Sequence, residues 1–261
     1  MKIKEIGALR RAVELASRGV VVRRRLPKDF GRQIIWVSPE SALKYWRLDM
    51  ATVVPELLDF AREHVKPGAV VWDVGANLGL FSLAAAVKAG ANGRVLAIEP
   101  DPQMLKILRR SMREMPASAA PIQAVCAAVS DAPGVVQLSV SNRGRSSNFM
   151  AGTPGSSTSG GVRALVDVAA VTLDGLMETT GAPDVVKIDV ETAEMLVLSG
   201  GTRLLAEARP IILVEVEHAN SEAAATLLKS HGYRLFDWDA RDGREVEKAP
   251  FNTLAIPTER R

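Results

Sequence analysis

The chain contains a single cysteine, Cys126, among 261 residues. A disulfide framework within one chain is therefore excluded, and the expectation is a reducing, cytoplasmic compartment. Histidine is nearly as scarce. His64, His218 and His231 lie far apart, no Cys/His cluster has zinc-site spacing, and no metal site is expected. No apolar run approaches the roughly 20 residues that a membrane span requires. Arg10, Arg11 and Arg18 interrupt the only early helical pattern, so no signal-peptide apolar region is read. Net charge is also small, +3, but it is unevenly spread. Residues 1–32 hold ten Lys/Arg against three Asp/Glu, leaving −4 for residues 33–261. Within that basic stretch Ile6, Leu9, Val13 and Ala16 fall at helical spacing, followed by Val20-Val21-Val22-Arg23-Arg24-Arg25. This predicts a basic amphipathic helix or arm, either a solvated face or a peripheral contact with an anionic membrane or charged glycan carrier.

What the chain does have is apolar residues, 47%, enough to build a core, and an alternation of strand and helix patterns from residue 69 onward. Strands are predicted at 69–74, 94–99, 122–129, 184–190 and 210–217. Most are continuous apolar runs, as strands covered on both faces should be. Between them, Leu80–Lys88 runs to Gly90 as a helix with a C-terminal glycine. Asp101-Pro102 places a capping residue before a proline at the first helical position, and Leu105, Leu108, Met112 and Met115 supply the apolar face. Such alternation predicts a doubly wound, Rossmann-like α/β sheet, mostly parallel. Residues 1–66 are read as a basic N-terminal helical segment and residues 67–261 as the main domain. Val135–Val140 reads as a strand of a hairpin, followed by a Gly/Ser-rich loop to Gly161. Tyr233–Trp238 and Asn252–Ile256 read as two strands around a turn at Asp242-Gly243.

The strongest local feature is Val70-Val71-Trp72-Asp73-Val74-Gly75-Ala76-Asn77-Leu78-Gly79, an apolar strand entering a glycine-containing turn and then a helix. Such turns lie at the carboxyl ends of strands, where open α/β sheets bind ligands. The spacing is not the G-x-G-x-x-G of a dinucleotide site, and an acid at the strand end would repel a pyrophosphate. Beside the ammonium of a methionine moiety it is favourable. A second acid, Glu99, ends the next strand, where a carboxylate can accept bonds from both hydroxyls of a ribose.

These residues, with Val129-Ser130-Asp131, Thr172-Leu173-Asp174, Lys187-Ile188-Asp189-Val190-Glu191, Arg209-Pro210-Ile211-Ile212 with Glu215, and Asn252-Thr253-Leu254-Ala255, resemble the FkbM-type branch of the class I S-adenosylmethionine methyltransferases. The likeness runs from about Val70 to Pro257. It implies seven strands with an antiparallel last strand, S-adenosylmethionine as cofactor, and O-methylation of sugars or natural products. By that likeness Asp73, Gly75, Asn77 and Gly79 line the methionine end, Glu99 the ribose, and Ala128 the adenine. One departure stands out. Thr192 occupies the place of the family's usual glycine. A β-branched residue resists positive φ, so Thr192 is expected to cap the following helix instead.

Transfer of a methyl group to a hydroxyl needs alignment and a group to take the proton. Lys187, Asp189 and Glu191 alternate on one face of a strand. Asp189 is either an ion-pair partner of Lys187 or, like Glu191, a contact for the acceptor hydroxyl or a bound cation. Glu215 and Glu217 share a face of the next strand, and His218 behind them is a further candidate base. The acceptor is expected to be a small molecule, a glycan or a glycolipid. A nucleic-acid methyltransferase is the main rival, but the basic segment has few aromatic residues for stacking. A nicotinamide enzyme is disfavoured by the glycine spacing, and a catalytically silent cofactor-binding module remains the last alternative.

Overall fold

The computed structural model describes residues 3–153 and 159–260, with side chains from residue 10 onward. Ile6 and Leu9 thus lie outside the described side chains. The first described element is α1 (Ile3–Ala16), on which Val13 and Ala16 are exposed while Glu14, with Ser17 just beyond the helix, is buried. The basic run that follows is not helical. β1 (Val22–Arg25) pairs antiparallel with β2 (Ile34–Val37), because the alternation of inward Leu26, Ile35 and Val37 with outward arginines has a period of two. The N-terminal segment therefore contains a β-ribbon as well as a helix. α2 (Pro55–His64) closes it, with proline in its first turn.

From here the strand–helix alternation proceeds as expected. β3 (Val70–Val74) leads through the glycine turn to α3 (Leu80–Ala89), and β4 (Arg94–Ile98) to α4 (Pro102–Met112). Asp101 caps α4 by accepting from the Gln103 amide at 2.9 Å. The run at 122–129 divides into β5 (Ile122–Val125) and β6 (Ala128–Val129), and the chain leaves the main sheet between them. β7 (Gly134–Ser141), β8 (Phe149–Met150) and β9 (Val162–Val171) join β6 in a separate sheet of order β6-β9-β7-β8. Helix α5 (Leu173–Thr180) begins at Thr172, whose hydroxyl accepts from Gly175 N–H at 3.0 Å. β10 (Val185–Ile188), α6 (Glu194–Ser199), β11 (Ile211–Glu215), α7 (Ser221–Ser230), β12 (Tyr233–Asp237) and β13 (Asn252–Pro257) complete the chain.

The main sheet has seven strands in the order β12-β13-β11-β10-β3-β4-β5, with β13 antiparallel to both neighbours. Successive residues of a strand enter opposite layers. Val71, Val95 and Ala97 join a core with α2, α3 and α4, whereas Trp72, Val74, Leu96 and Ile98 join one with α5, α6 and α7. Burying each of the valine, leucine and isoleucine side chains among these contributes about 1.5–3 kcal/mol. The first core also takes in Leu26, Phe30, Ile35, Tyr45, Phe60 and Val65, so the N-terminal segment is packed against the sheet's helices. Strand order reverses between β3 and β10. That is the switch point outside whose carboxyl ends ligands bind in open α/β sheets.

Candidate functional site

A cavity of about 210 Å³ opens at this switch point. Its floor is the β3 turn and the tips of β4, β10 and β11, presenting Gly75, Asn77, Glu99, Asp189, Glu191 and Glu215. Two covers meet above it. Lys44, Tyr45 and Glu56 come from the N-terminal segment, and Gln137, Arg145, Phe149 and Met150 from the second sheet and its loop.

The β3 turn is shaped by positive φ at Gly75 (75°), Asn77 (50°) and Gly79 (82°). A Cβ on Gly75 would collide with the Asp189 carbonyl, and one on Gly79 with the Leu108 side chain. Both glycines therefore serve packing of the turn against β10 and α4 as well as backbone conformation. Asn77 tolerates the left-handed region. Its amide donates to Glu99 Oε2 at 2.7 Å, and its side-chain oxygen accepts from the Ser41 hydroxyl at 2.9 Å.

Glu99 is buried, and its other oxygen accepts from Asp101 N–H at 2.8 Å. Burial pushes the carboxyl up to about 7, against those two bonds. Beside it Ile98, Pro100, Ala127, Ala128 and Val129 form an apolar wall. A buried carboxyl with unused lone pairs next to an apolar wall suits a ribose carrying an adenine.

Asp73 is not on the cavity surface. It is fully buried, accepts from the Ser82 hydroxyl at 2.5 Å, and lies 3.2 Å from Lys187 Nζ, its register partner on β10. Lys187 also lies 3.2 Å from Asp189 and donates to the Gly75 carbonyl at 2.7 Å. Burial alone would lower the Lys187 ammonium, but the charges of Asp189 and Asp73 hold it above its ordinary value. Asp73 therefore reaches the turn through Lys187, and the ion pair expected for Lys187 has two carboxylates. Asp189 and Glu191 are brought together at the cavity, as their spacing suggested. His218 is not with them. It is exposed in a 3₁₀ turn and does not line the cavity, because β11 ends at Glu215 and the chain turns away.

Thr192 departs from its expected capping role. It takes the left-handed conformation, φ 60°, and Ala193 is the residue that precedes α6. Such a conformation costs a β-branched residue about 1–2 kcal/mol. Its hydroxyl lies 2.7 Å from that of Thr153, and Phe149 bridges to Glu191 beside it, so the covering loop is stitched to the β10 tip.

Sequence reasoning missed several elements here. Nothing local marks Tyr45 or Glu40. Arg145 reads as a basic residue of a loop that either covers the acceptor or is solvated, and its partners are not foreseen: it pairs with Glu40 at 2.8 Å and Asp101 at 2.6 Å, with Arg163 on Glu40 at 2.6 Å. Burial would raise the Glu40 carboxyl, but bonds from Arg163, the Gly19 amide and Arg145 hold it at about 2. Glu215 was visible as a strand-end acid. Burial and the charge of Asp189 push it up to about 8, with Lys187 opposing.

These two raised carboxyls have a sign. A group whose folded-state pKa lies above its unfolded value binds more protons when folded, so its contribution is full below about pH 4.5 and is lost as pH rises through the folded value. For Glu215 that window is about 4.5 to 8, and for Glu99 about 4.5 to 7. Glu215→Gln is expected to match the wild type in melting temperature at pH 4. At pH 9 it should exceed it by about 5 °C, the equivalent of on the order of 2 kcal/mol after solvent screening. Thermal melts across that range check it, and an unchanged difference at the two pH values would contradict it.

Residues 73–235 match the family model described as the methyltransferase FkbM domain. The hexuronic acid methyltransferase AglP of Haloferax volcanii is 26% identical over 179 residues, 68% of this chain and 68% of that one. A solved FkbM methyltransferase from Methylobacillus flagellatus superposes with a TM-score of 0.47 at 17% identity, over 83% of this chain and 57% of that chain. A precorrin-6y C5,15-methyltransferase from Geobacter metallireducens gives 0.44 at 16% identity, over 78% and 84%.

Proposed function

The chain belongs to the FkbM methyltransferase family and uses S-adenosylmethionine, and from that premise we propose that it methylates a hydroxyl oxygen of a sugar, glycolipid or natural product. The observation that carries this reading is the carboxylate cluster of Asp189, Glu191 and Glu215 at the β10 and β11 tips, facing a cavity covered from two sides. A hydroxyl is a poor nucleophile until its proton begins to leave, and carboxylates are suited to receive it. The sugar is suggested by the Haloferax relative. A phosphate-rich acceptor is disfavoured. Glu56 and Glu99 add to the three acids, while Lys187 and Arg145, among the lining cations, are already paired.

In this reading Glu99 takes the ribose hydroxyls, Ala128 lies along the adenine, and the Gly75–Gly79 turn covers the methionine end. Asp73 fixes that turn through Lys187. When bound, the cofactor supplies an electrophilic methyl group. The chain's own residues orient the acceptor and exclude water. Residues 1–66 form an N-terminal segment that roofs the acceptor side of the 67–261 methyltransferase domain. The test is transfer of labelled methyl to a screen of glycans and glycolipids, followed by mild alkali. A stable ether is expected. An alkali-labile ester, label in RNA, or no transfer at all would contradict the reading.

We place the enzyme in the cytoplasm, in peripheral contact with an anionic membrane. Arg10, Arg11 and Arg18 are exposed around α1, and Val13, Leu15, Trp46 and Leu48 are exposed nearby in sequence or contact, Trp46 donating to the Ser17 hydroxyl at 3.0 Å. Among the described residues no helix is long and apolar enough to cross a membrane. Phosphatidylserine vesicles at low salt are expected to sediment the protein and phosphatidylcholine vesicles to leave it in solution. Equal partition between the two would contradict the contact.

A further inference from the structure

We propose that Glu215 is the group that takes the acceptor's proton, and that it becomes ionised only when the positive charge of the cofactor's sulfonium enters the crevice. The proton-taking role rests on the hydroxyl acceptor proposed above; the ionisation does not.

The geometry singles out Glu215 among the cavity carboxyls. Ile188 and Val214 are register partners, so Asp189 and Glu215 follow them side by side on adjacent strand tips. Lys187 is the buried cation between the strands, and an ammonium has three hydrogens to donate. One goes to the Gly75 carbonyl at 2.7 Å, and the ammonium is ion-paired with Asp73 and Asp189 at 3.2 Å each. Asp189 therefore has its counter-charge. Glu215 has no salt-bridge partner among the described residues, although it lines the same cavity. The charges that face it are Asp189, Lys187 and Glu191 from β10 and its tip, and Lys44 from the N-terminal segment. Neighbouring carboxyls that outnumber the cations among them divide into ionised and protonated groups. The raised titration of Glu215 fits the second part.

A cationic ligand supplies the missing charge and releases the Glu215 proton. In the transfer, the acceptor's O–H bond breaks and its proton passes to the Glu215 carboxylate. The oxygen forms its bond to the methyl carbon, and the electron pair of the broken carbon–sulfur bond stays on sulfur. The products are a neutral thioether and a protonated Glu215, the same pairing of charges as before binding.

Calorimetric titration with S-adenosylmethionine and with S-adenosylhomocysteine, from pH 6 to 9 in two buffers of different ionisation enthalpy, tests this without an acceptor. Glu99 titrates nearby, but it would meet the ribose of both ligands alike. For the wild type, the affinity ratio of S-adenosylmethionine to S-adenosylhomocysteine is expected to rise by roughly 10- to 100-fold across the range. Glu215→Gln should lose that rise, and Glu217→Gln should keep it. The difference between wild type and Glu215→Gln removes titration of the ligands' own amino groups. Equal pH dependence for the two ligands in the wild type, or a rise that persists in Glu215→Gln, overturns the proposal. With an acceptor from the screen, Glu215→Gln should lose turnover by roughly 10²- to 10⁴-fold. A methyl ester product accompanied by the pH-dependent rise overturns the proton-taking role alone.

Discussion

Glu99→Ala is expected to weaken binding of S-adenosylhomocysteine by roughly 10²- to 10³-fold. Two hydrogen bonds from ribose hydroxyls to a charged acceptor are lost, at about 1.5–3 kcal/mol each before partial replacement by water. The substitution also strips the Asn77 and Asp101 amides of their acceptor, since both now donate to this carboxylate. The turn over the methionine end and the entry to α4 should therefore loosen together. Glu99→Gln separates the two effects. It retains one oxygen for the backbone and loses the charge, so it should fall between the wild type and alanine. Titration calorimetry measures both variants. Alanine binding within a few-fold of the wild type would mean that the ribose lies elsewhere.

The buried charge cluster carries the second large effect. Lys187→Met leaves Asp73 fully buried with only the Ser82 hydroxyl as a partner, and leaves Asp189 without its cation. Removing one member of a buried pair costs about 3–5 kcal/mol, whereas replacing both by groups of similar shape is close to neutral. For a chain of this length that corresponds to a fall of roughly 10 °C in melting temperature. The double variant Asp73→Asn with Lys187→Met should recover most of it. It should nonetheless bind cofactor poorly, because the Gly75 carbonyl has lost its donor. A single Lys187→Met variant that melts like the wild type would show that the ammonium is dispensable to the fold.

Much of the sheet can be read from local pattern. β3, β4, β10 and β11 are short apolar runs covered on both faces, and Asp101-Pro102 marks a helix start by its own chemistry. β9 is not legible in the same way, and it lies outside the main sheet. Its alternation of Val162, Ala164, Val166, Val168 and Ala170 is a strand signal, but it adjoins a Gly/Ser-rich stretch and half its residues face solvent. The basic run at Val22–Arg25 reads locally as part of a helix or an arm, and only its partner Ile34–Val37 supplies the pairing that makes it a strand.

The site was legible to the extent that it is strand-end chemistry. Asp73, Glu99, Asp189, Glu191 and Glu215 all sit at or next to carboxyl tips, and their spacing gives their faces. Which of them reaches ligand and which is consumed internally depends on neighbouring strands. Asp73 and Lys187 are 114 positions apart in chain order and become partners only through β3–β10 register. Thr192 shows the reverse limit. Its intrinsic preference is against positive φ, yet the Thr153 hydroxyl and the β10 tip hold it there. Arg145, Glu40 and Asp101 likewise join three distant segments, for which no local pattern exists.

A crystal structure of the protein with S-adenosylhomocysteine tests the placement of the cofactor most directly. The two ribose hydroxyls should lie within hydrogen-bonding distance of the Glu99 carboxylate, with the adenine against Ala128 and the sulfur facing the Asp189 and Glu215 tips. A ligand seated with its ribose away from Glu99, or a crevice at the β3–β10 switch point that stays closed while the ligand binds elsewhere, would contradict it.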